Sequence, residues 1–426
     1  MMKPHQAMLG SAVVASALLL GGCQPGDDDT DYDAVGQEEK TAEAGSEGKD
    51  GEKTGDGHAQ EVAGSQPRLV TTYDGGIMTL DATTLEVIDD TKLDGFNRLN
   101  PVGDDRHLMV SVADGFRLFD AGVWTQPHGD HTHSYAADPV LTDTVFDTEL
   151  PGHVVTHGGS TVLFGDGDGK IQTFDTDDFA DDPKPEVTEA DEPHHGVAVR
   201  LDDGSTLHTV GTEDERSGAK VVDKDGKEIA HSEDCPGVHG EAAAKDETIA
   251  LGCEDGILLY KDGKFDKIDA PDDYGRIGNQ AGSDDSRYVL GDYKVDKDAE
   301  LERPEKVSVT DTKDGTLSLV DLDASYSFRS LGRGPEGEGI VLTTDGTLTI
   351  IDPESAEVTD EYPVIDKWKE PVEWQKARPT LFVQGEVAYV SDPAKQSIHI
   401  VDLDDGEVMA SEKLPHATNE LTGVAG

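Results

Sequence analysis

The chain has 426 residues, enough for a large buried core, and carries a formal charge of -55 from 90 Asp and Glu against 35 Lys and Arg. A surface field of that sign repels phosphates and anionic lipid headgroups and attracts cations, which excludes nucleic acid as a partner. Most of the acidity reads as a solvated surface rather than as catalytic groups.

The N-terminus reads as a sorting signal. Lys3 and His5 precede an apolar run from Ala12 to Leu20 that is too short to span a bilayer and closes on Leu20-Gly21-Gly22-Cys23. That ending resembles a bacterial lipobox, which implies a lipoprotein signal peptide over residues 1–22, cleavage before Cys23 and a lipid on its sulfur. The mature chain is then extracytoplasmic and tethered to the cell membrane. Residues 23–66 are Asp, Glu, Gly, Lys, Thr and Ala with almost no large apolar side chain. They cannot bury enough surface to fold and are expected to be a disordered acidic tether, in which His58 stands alone.

From residue 67 to 426 the pattern changes to short alternating strands separated by Asp-Gly and Gly-Asp turns, without a convincing amphipathic helix. The repeated unit is a turn, an apolar alternation, an acidic turn and a next strand. It starts at Gly76, Gly115, Gly169, Gly256, Gly315, Gly346 and Gln396. A spacing of roughly 45 residues is that of a four-stranded propeller blade. The expected fold is all-β: a single β-propeller with eight blades of four antiparallel strands. Seven blades is the alternative, because a long polar insertion, Lys294 to Glu305, interrupts one unit. The strand before each pair is expected to face the central channel. The C-terminal segment from Thr418 would supply the one missing before Arg68 and close the ring, removing exposed edges.

In chain order the first chemically distinctive stretch is Gln126 to Tyr135, QPHGDHTHSY, where His128, His131 and His133 crowd around Asp130. Imidazole nitrogens at this density, beside a carboxylate, suit a borderline-soft divalent cation such as Zn2+. Pro127, Gly129 and the exit to Pro139 show neither strand nor helix period, so the stretch is expected to be a mobile loop. If it is extended, positions 131 and 133 project to one side and can chelate as a pair.

Three further histidines fall at matching places on consecutive units: His153 in Gly152-His153-Val154, His195 in His194-His195-Gly196 and His239 in Val238-His239-Gly240. Innermost strands of a propeller converge, so His153, His195 and His239 are expected to share one volume and close on one zinc ion at about 2.0 to 2.1 Å. His194 and His157 are the substitutes if the register is off, since a slip of one residue reverses the face. The fourth ligand is open among Asp130, a loop histidine, Glu192, Asp234 and Glu241. The loop is expected to lie above this pocket, or else to form a second, weaker site that hands ions inward.

Once Cys23 is removed, Cys235 and Cys253 remain, and an oxidising compartment favours their pairing. Cys235 precedes one predicted strand and Cys253 ends the next, so a hairpin turning near Asp246 brings them together at its open end.

With the export signal, the all-β repeat, the HGDHTHSY loop and the His-Gly starts around His195 and His239, the chain resembles the AztD-type periplasmic zinc metallochaperones, β-propeller proteins working beside a zinc-specific ABC importer. The resemblance covers the chain from about Arg68 onward, and the loop is its most specific part. It implies that His153, His195 and His239 bind zinc, that the loop takes part in capture or transfer, and that the ion passes to the importer's solute-binding protein. The lipobox and the long acidic tether depart from a freely diffusing chaperone. Two other functions compete. One is a propeller hydrolase or lactonase using an open zinc position, against which stands the lack of a GxSxG motif or a recognisable nucleophile. The other is a surface interaction scaffold with incidental metal affinity.

Overall fold

The computed structural model describes residues 59–426; the expected signal peptide, Cys23 and most of the expected tether lie outside them. Among the described residues are eight four-stranded antiparallel sheets, one three-stranded sheet and a single short 3-10 turn, Thr176–Ala180. The eight sheets begin with the strands Leu99–Pro101, Pro151–His157, Ala198–Arg200, His239–Ala244, Gln280–Ala281, Tyr326–Arg333, Leu381–Gln384 and Thr418–Val424. The last belongs to the sheet whose other strands come from the front of the domain: Thr418–Val424 pairs with Arg68–Tyr73, with Arg68 opposite Val424 and Tyr73 opposite Thr418. The two ends of the domain are thus held by one ladder. The insertion Lys294 to Glu305 joins the second and third strands of its sheet, Tyr288–Asp292 and Lys306–Asp311, and leaves that sheet with four strands.

Position within a sheet explains composition. The second and third strands are covered on both faces by neighbouring sheets, so Arg68–Tyr73 and Thr248–Cys253 are buried throughout. Their side chains fill apolar layers between sheets, as where Leu207 and Val221 pack with Ile249, Leu251 and Leu258. The outermost strands face water and are polar or charged, for example Val87–Lys92 (VIDDTK) and Glu357–Pro363 (EVTDEYP), which discourages pairing with another chain. The glycine that opens a third strand has a steric cause. At Gly115 (φ 145°) and Gly256 (φ 139°) an added Cβ would lie 2.3 and 2.1 Å from the carbonyl oxygens of Phe146 and Ile268 on the outermost strand.

Strand direction sets the two ends of the molecule. Each first strand runs from the end bearing His153 and His239 toward the opposite end, and the third strand runs parallel to it. The stretch around Gln126 leaves its sheet after a third strand, Gly115–Asp120, and so emerges at the opposite end. Its contacts agree. Thr125 Oγ1 donates to the carbonyl of Gly426 at 2.9 Å, and Gly426 N donates to the carbonyl of Asp105, in the turn that follows a first strand.

The expectation of a structureless loop is corrected here. Val123–His128 and His131–Ala136 form an antiparallel hairpin with His128 opposite His131, and Gln60–Val62 adds a third strand along Ser134 to Ala136. Gly129, at φ 65°, makes the tight turn that the glycine allows. Stacking of Trp124 on Tyr135, with centroids 5.3 Å apart, stiffens the ribbon. The strand Gln60–Val62 also lies inside the segment read as tether, so ordered chain extends back past the 66/67 boundary.

Candidate metal centre

His153 sits near the start of Pro151–His157, His239 opens His239–Ala244, and His195 precedes Ala198–Arg200. These three consecutive sheets bring the imidazoles into one group whose ligand atoms all lie within 4.8 Å of one another. The ring centroids of His195 are 4.9 Å from those of His153 and 5.0 Å from those of His239. They line one wall of a cavity of about 550 Å³.

The outer nitrogens determine what the inner ones offer. Nδ1 of His153 donates to the carbonyl of Gly196 at 2.8 Å, Nδ1 of His239 to the carbonyl of Gly278 at 2.6 Å, and Nδ1 of His195 to Asp166 Oδ2 at 2.6 Å. Each acceptor holds the proton on Nδ1, so each Nε2 presents a lone pair. Nε2 of His195 and Nε2 of His239 then face each other at 3.0 Å as two acceptors, an arrangement that a shared cation relieves. Burial holds His153 down at about 3, with His195 and Arg98 adding to the effect, and holds His239 well below the ordinary imidazole range for the same first reason. Those two rings are therefore neutral at physiological pH.

Two carboxylates that sequence reasoning passed over support this geometry. Asp166 accepts from His195 with Oδ2 and from the Gly196 amide with Oδ1 at 3.3 Å, so it orients one ring directly and a second through the Gly196 carbonyl. It approaches because Gly152 has no side chain: a Cβ there would lie 2.1 Å from Asp166 Oδ1. Asp292 plays a similar part for His239, accepting from the amides of Gly278 and Asn279 at 2.7 and 3.0 Å. Asp166 lies in an acidic turn and Asp292 ends the strand Tyr288–Asp292, and by sequence neither stands out in a chain with 90 carboxylates.

The remaining candidates separate. His194 is 3% exposed and has both nitrogens engaged, Nδ1 with the carbonyl of Glu192 at 2.8 Å and Nε2 with Thr209 Oγ1 at 2.9 Å, so it is a structural side chain and not a substitute ligand. His157 is at the far end of its strand from His153 and groups with Asp202 and Glu247 instead. The group at His153 contains none of Asp130, Glu192, Asp234 and Glu241. Glu241 does line the cavity, and burial pushes its carboxyl up to about 8, so it enters as a neutral acid at pH 7.

The hairpin forms its own group and does not roof the cavity. His128, His131 and His133 lie together with ligand atoms within 4.8 Å, and Nε2 of His131 is 3.0 Å from Nε2 of His133. Nδ1 of His133 meets Glu61 Oε1 at 2.6 Å, a partner from the segment read as tether, and Asp130 is solvent-exposed 3.3 Å from Nδ1 of His131. The structure joins Cys235 to Cys253, with Cα atoms 5.0 Å apart across the open end of the hairpin that carries His239.

No protein-family model matches the chain. It is 26% identical over 336 residues to the zinc chaperone AztD of Citrobacter koseri, covering 75% of this chain and 77% of that protein. The crystal structure of Citrobacter koseri AztD superposes with a TM-score of 0.73 at 24% identity, over 85% of this chain and 98% of the other. The apo form of the same protein superposes with a TM-score of 0.72 at 22% identity, over 84% and 98%. The dihydro-heme d1 dehydrogenase NirN shares the fold at a TM-score of 0.52 and 12% identity, over 84% and 74%, so the architecture by itself does not choose a function. In sequence and in fold, the chain is similar to the zinc chaperone AztD of Citrobacter koseri.

Proposed function

We propose that this chain is an extracytoplasmic zinc metallochaperone. It holds zinc on His153, His195 and His239 and passes it to the zinc-binding solute receptor of an ABC importer. The observation that carries the reading is the pair of Nε2 lone pairs of His195 and His239 facing each other at 3.0 Å, with His153 beside them and every Nδ1 proton occupied elsewhere. Three imidazoles leave one coordination position of a tetrahedral ion open, which suits a site that must release its cargo to an incoming ligand. Similarity to a zinc chaperone supports zinc as the cargo and a non-enzymatic role.

In this reading the eight four-stranded sheets are the blades of one propeller, closed by the ladder of Arg68–Tyr73 with Thr418–Val424. The hairpin histidines form a second, more exposed zinc site at the opposite end, held by Glu61, and collect ions rather than cap the cavity. Anchoring through a lipid on Cys23 keeps the protein at the membrane, where the importer works. The lipobox-like ending Leu20 to Cys23 supports this part of the proposal.

The test is zinc stoichiometry and affinity of the mature chain, compared with the variant His153→Ala/His195→Ala/His239→Ala and with His128→Ala/His131→Ala/His133→Ala. The first variant is expected to lose the tightest equivalent and the second only a weaker one. Full transfer to a solute-binding protein should fail in the first. Undiminished tight binding in the cavity variant would remove the assignment.

A further inference from the structure

At the opposite end of the first strands a different set of residues converges. His157 ends Pro151–His157, Asp202 follows Ala198–Arg200, Glu247 follows His239–Ala244, and Asp284 follows Gln280–Ala281. Four consecutive sheets thus each send one side chain to the same mouth. His157 is four residues along its strand from His153, which places the two roughly 13 Å apart.

The His157 imidazole is the distinctive member. Its side chain is 8% exposed, and neither Nδ1 nor Nε2 has a hydrogen-bond partner. A buried imidazole with both nitrogens unsatisfied is costly unless something else meets them. What faces them is carboxylate at a distance too long for a hydrogen bond: Glu247 Oε1 lies 3.8 Å from Nε2, and Asp284 Oδ1 lies 4.0 Å from Nδ1. Asp202 completes a group in which the ligand atoms of His157, Asp202 and Glu247 are all within 4.8 Å of one another. Ligands that each sit about 2.1 Å from a shared ion stand roughly 3 to 3.5 Å apart, so a small contraction closes this set.

The backbone is arranged to bring Asp202 in. Gly158, next to His157, has φ 55°, and a Cβ there would lie 2.4 Å from Asp202 Oδ1. Asp202 N donates to Glu247 Oε1, linking the two acidic turns, and Lys245 N donates to the carbonyl of Ser286 at 2.9 Å, linking the turn of Glu247 to that of Asp284.

We infer that His157, Asp202 and Glu247 form a further divalent-cation site, with Nε2 and two carboxylates as ligands and Asp284 accepting from Nδ1 to hold the ring. One imidazole with two carboxylates is a harder donor set than three imidazoles, and it suits first-row ions such as Mn2+ or Zn2+. The ion ties together the turns of three consecutive sheets. The site is separate from the cavity histidines, and the inference does not rest on their role.

The experiment uses the full mature chain and Mn2+ and Zn2+ as probes. In a variant with His128, His131, His133, His153, His195 and His239 all changed to Ala, calorimetric titration is expected to show one remaining equivalent of ion. His157→Gln should abolish that equivalent and Asp202→Asn should weaken it at least tenfold. If that variant fails to fold, total bound metal in the otherwise intact protein is expected to fall by one equivalent on His157→Gln. Absence of the remaining equivalent, or its persistence in His157→Gln, would overturn the inference, and so would a chemical-shift titration showing His157 as an imidazolium paired to carboxylates with no ion bound.

Discussion

Nδ1 of His195 donates to Asp166 Oδ2 at 2.6 Å, and the other oxygen of the same carboxylate accepts the amide of Gly196, whose carbonyl receives Nδ1 of His153. One aspartate therefore orients two of the three cavity imidazoles. Asp166→Asn keeps an oxygen that can accept one of these bonds but removes the charge. Zinc affinity is expected to fall about 10 to 100-fold with the fold intact, measured by competition against a chromophoric chelator.

Gly152→Ala should produce a similar loss without touching any histidine. The added Cβ would overlap Asp166 Oδ1, at 2.1 Å, and drive the carboxylate away from His195. Loss of affinity with unchanged circular dichroism is the expected pair of results; unchanged affinity would show that Asp166 is not needed for ring orientation.

Proton competition should be weak. Three imidazoles with ordinary pKa values would lose zinc steeply as pH drops through about 6.5. Burial holds His153 at about 3 and His239 well below the usual range, so these two rings need not shed a proton to bind. Between pH 7 and 5 the hairpin variant His128→Ala/His131→Ala/His133→Ala, which keeps the cavity histidines, should release no more than one proton per zinc, read by calorimetry in buffers of different ionisation enthalpy. The same shift has a sign for stability. Between about 6.5 and about 3 the unfolded chain takes up protons that the folded rings refuse, so stability of the metal-free protein falls as pH falls through that window. Zinc should raise the melting temperature at pH 7.

Cys235 and Cys253, both fully buried, enclose the segment that carries His239. Replacing both with Ala should lower stability by about 3 kcal/mol in denaturant titrations. Zinc affinity should fall as well, because the start of His239–Ala244 loses its anchor beside the cavity.

Glu61→Gln should weaken the hairpin site and leave the cavity site unchanged. Glu61 is the partner of Nδ1 on His133 at 2.6 Å, so its charge helps keep Nε2 of that ring available. Binding isotherms in the His153→Ala/His195→Ala/His239→Ala background isolate the effect.

Several of these relationships were legible before any coordinates and others were not. Strand alternation between Asp-Gly turns is a local signal, because the period of two follows from the pleat, and it marked the strands and the matching of Thr418–Val424 to Arg68–Tyr73. The recurrence of His153, His195 and His239 near the starts of consecutive first strands, with His195 three residues ahead of its own, was likewise written in the repeat. The hairpin was misread as loop because Pro127 and Gly129 mask its alternation, and because its third strand, Gln60–Val62, comes from a segment that composition alone assigns to the tether.

The sequence by itself determined the repeat, the strand-rich architecture and which histidines stand in register, since these depend on neighbours along the chain. Only the tertiary structure decided that Asp166 and Asp292 orient the cavity rings. It alone also revealed that the hairpin leaves from the opposite end and that His157 meets Asp202 and Glu247 rather than His153. Those facts depend on which turns of different sheets lie side by side and on which nitrogen of each ring is bound, and among 90 carboxylates no local pattern marks the few that packing brings within reach.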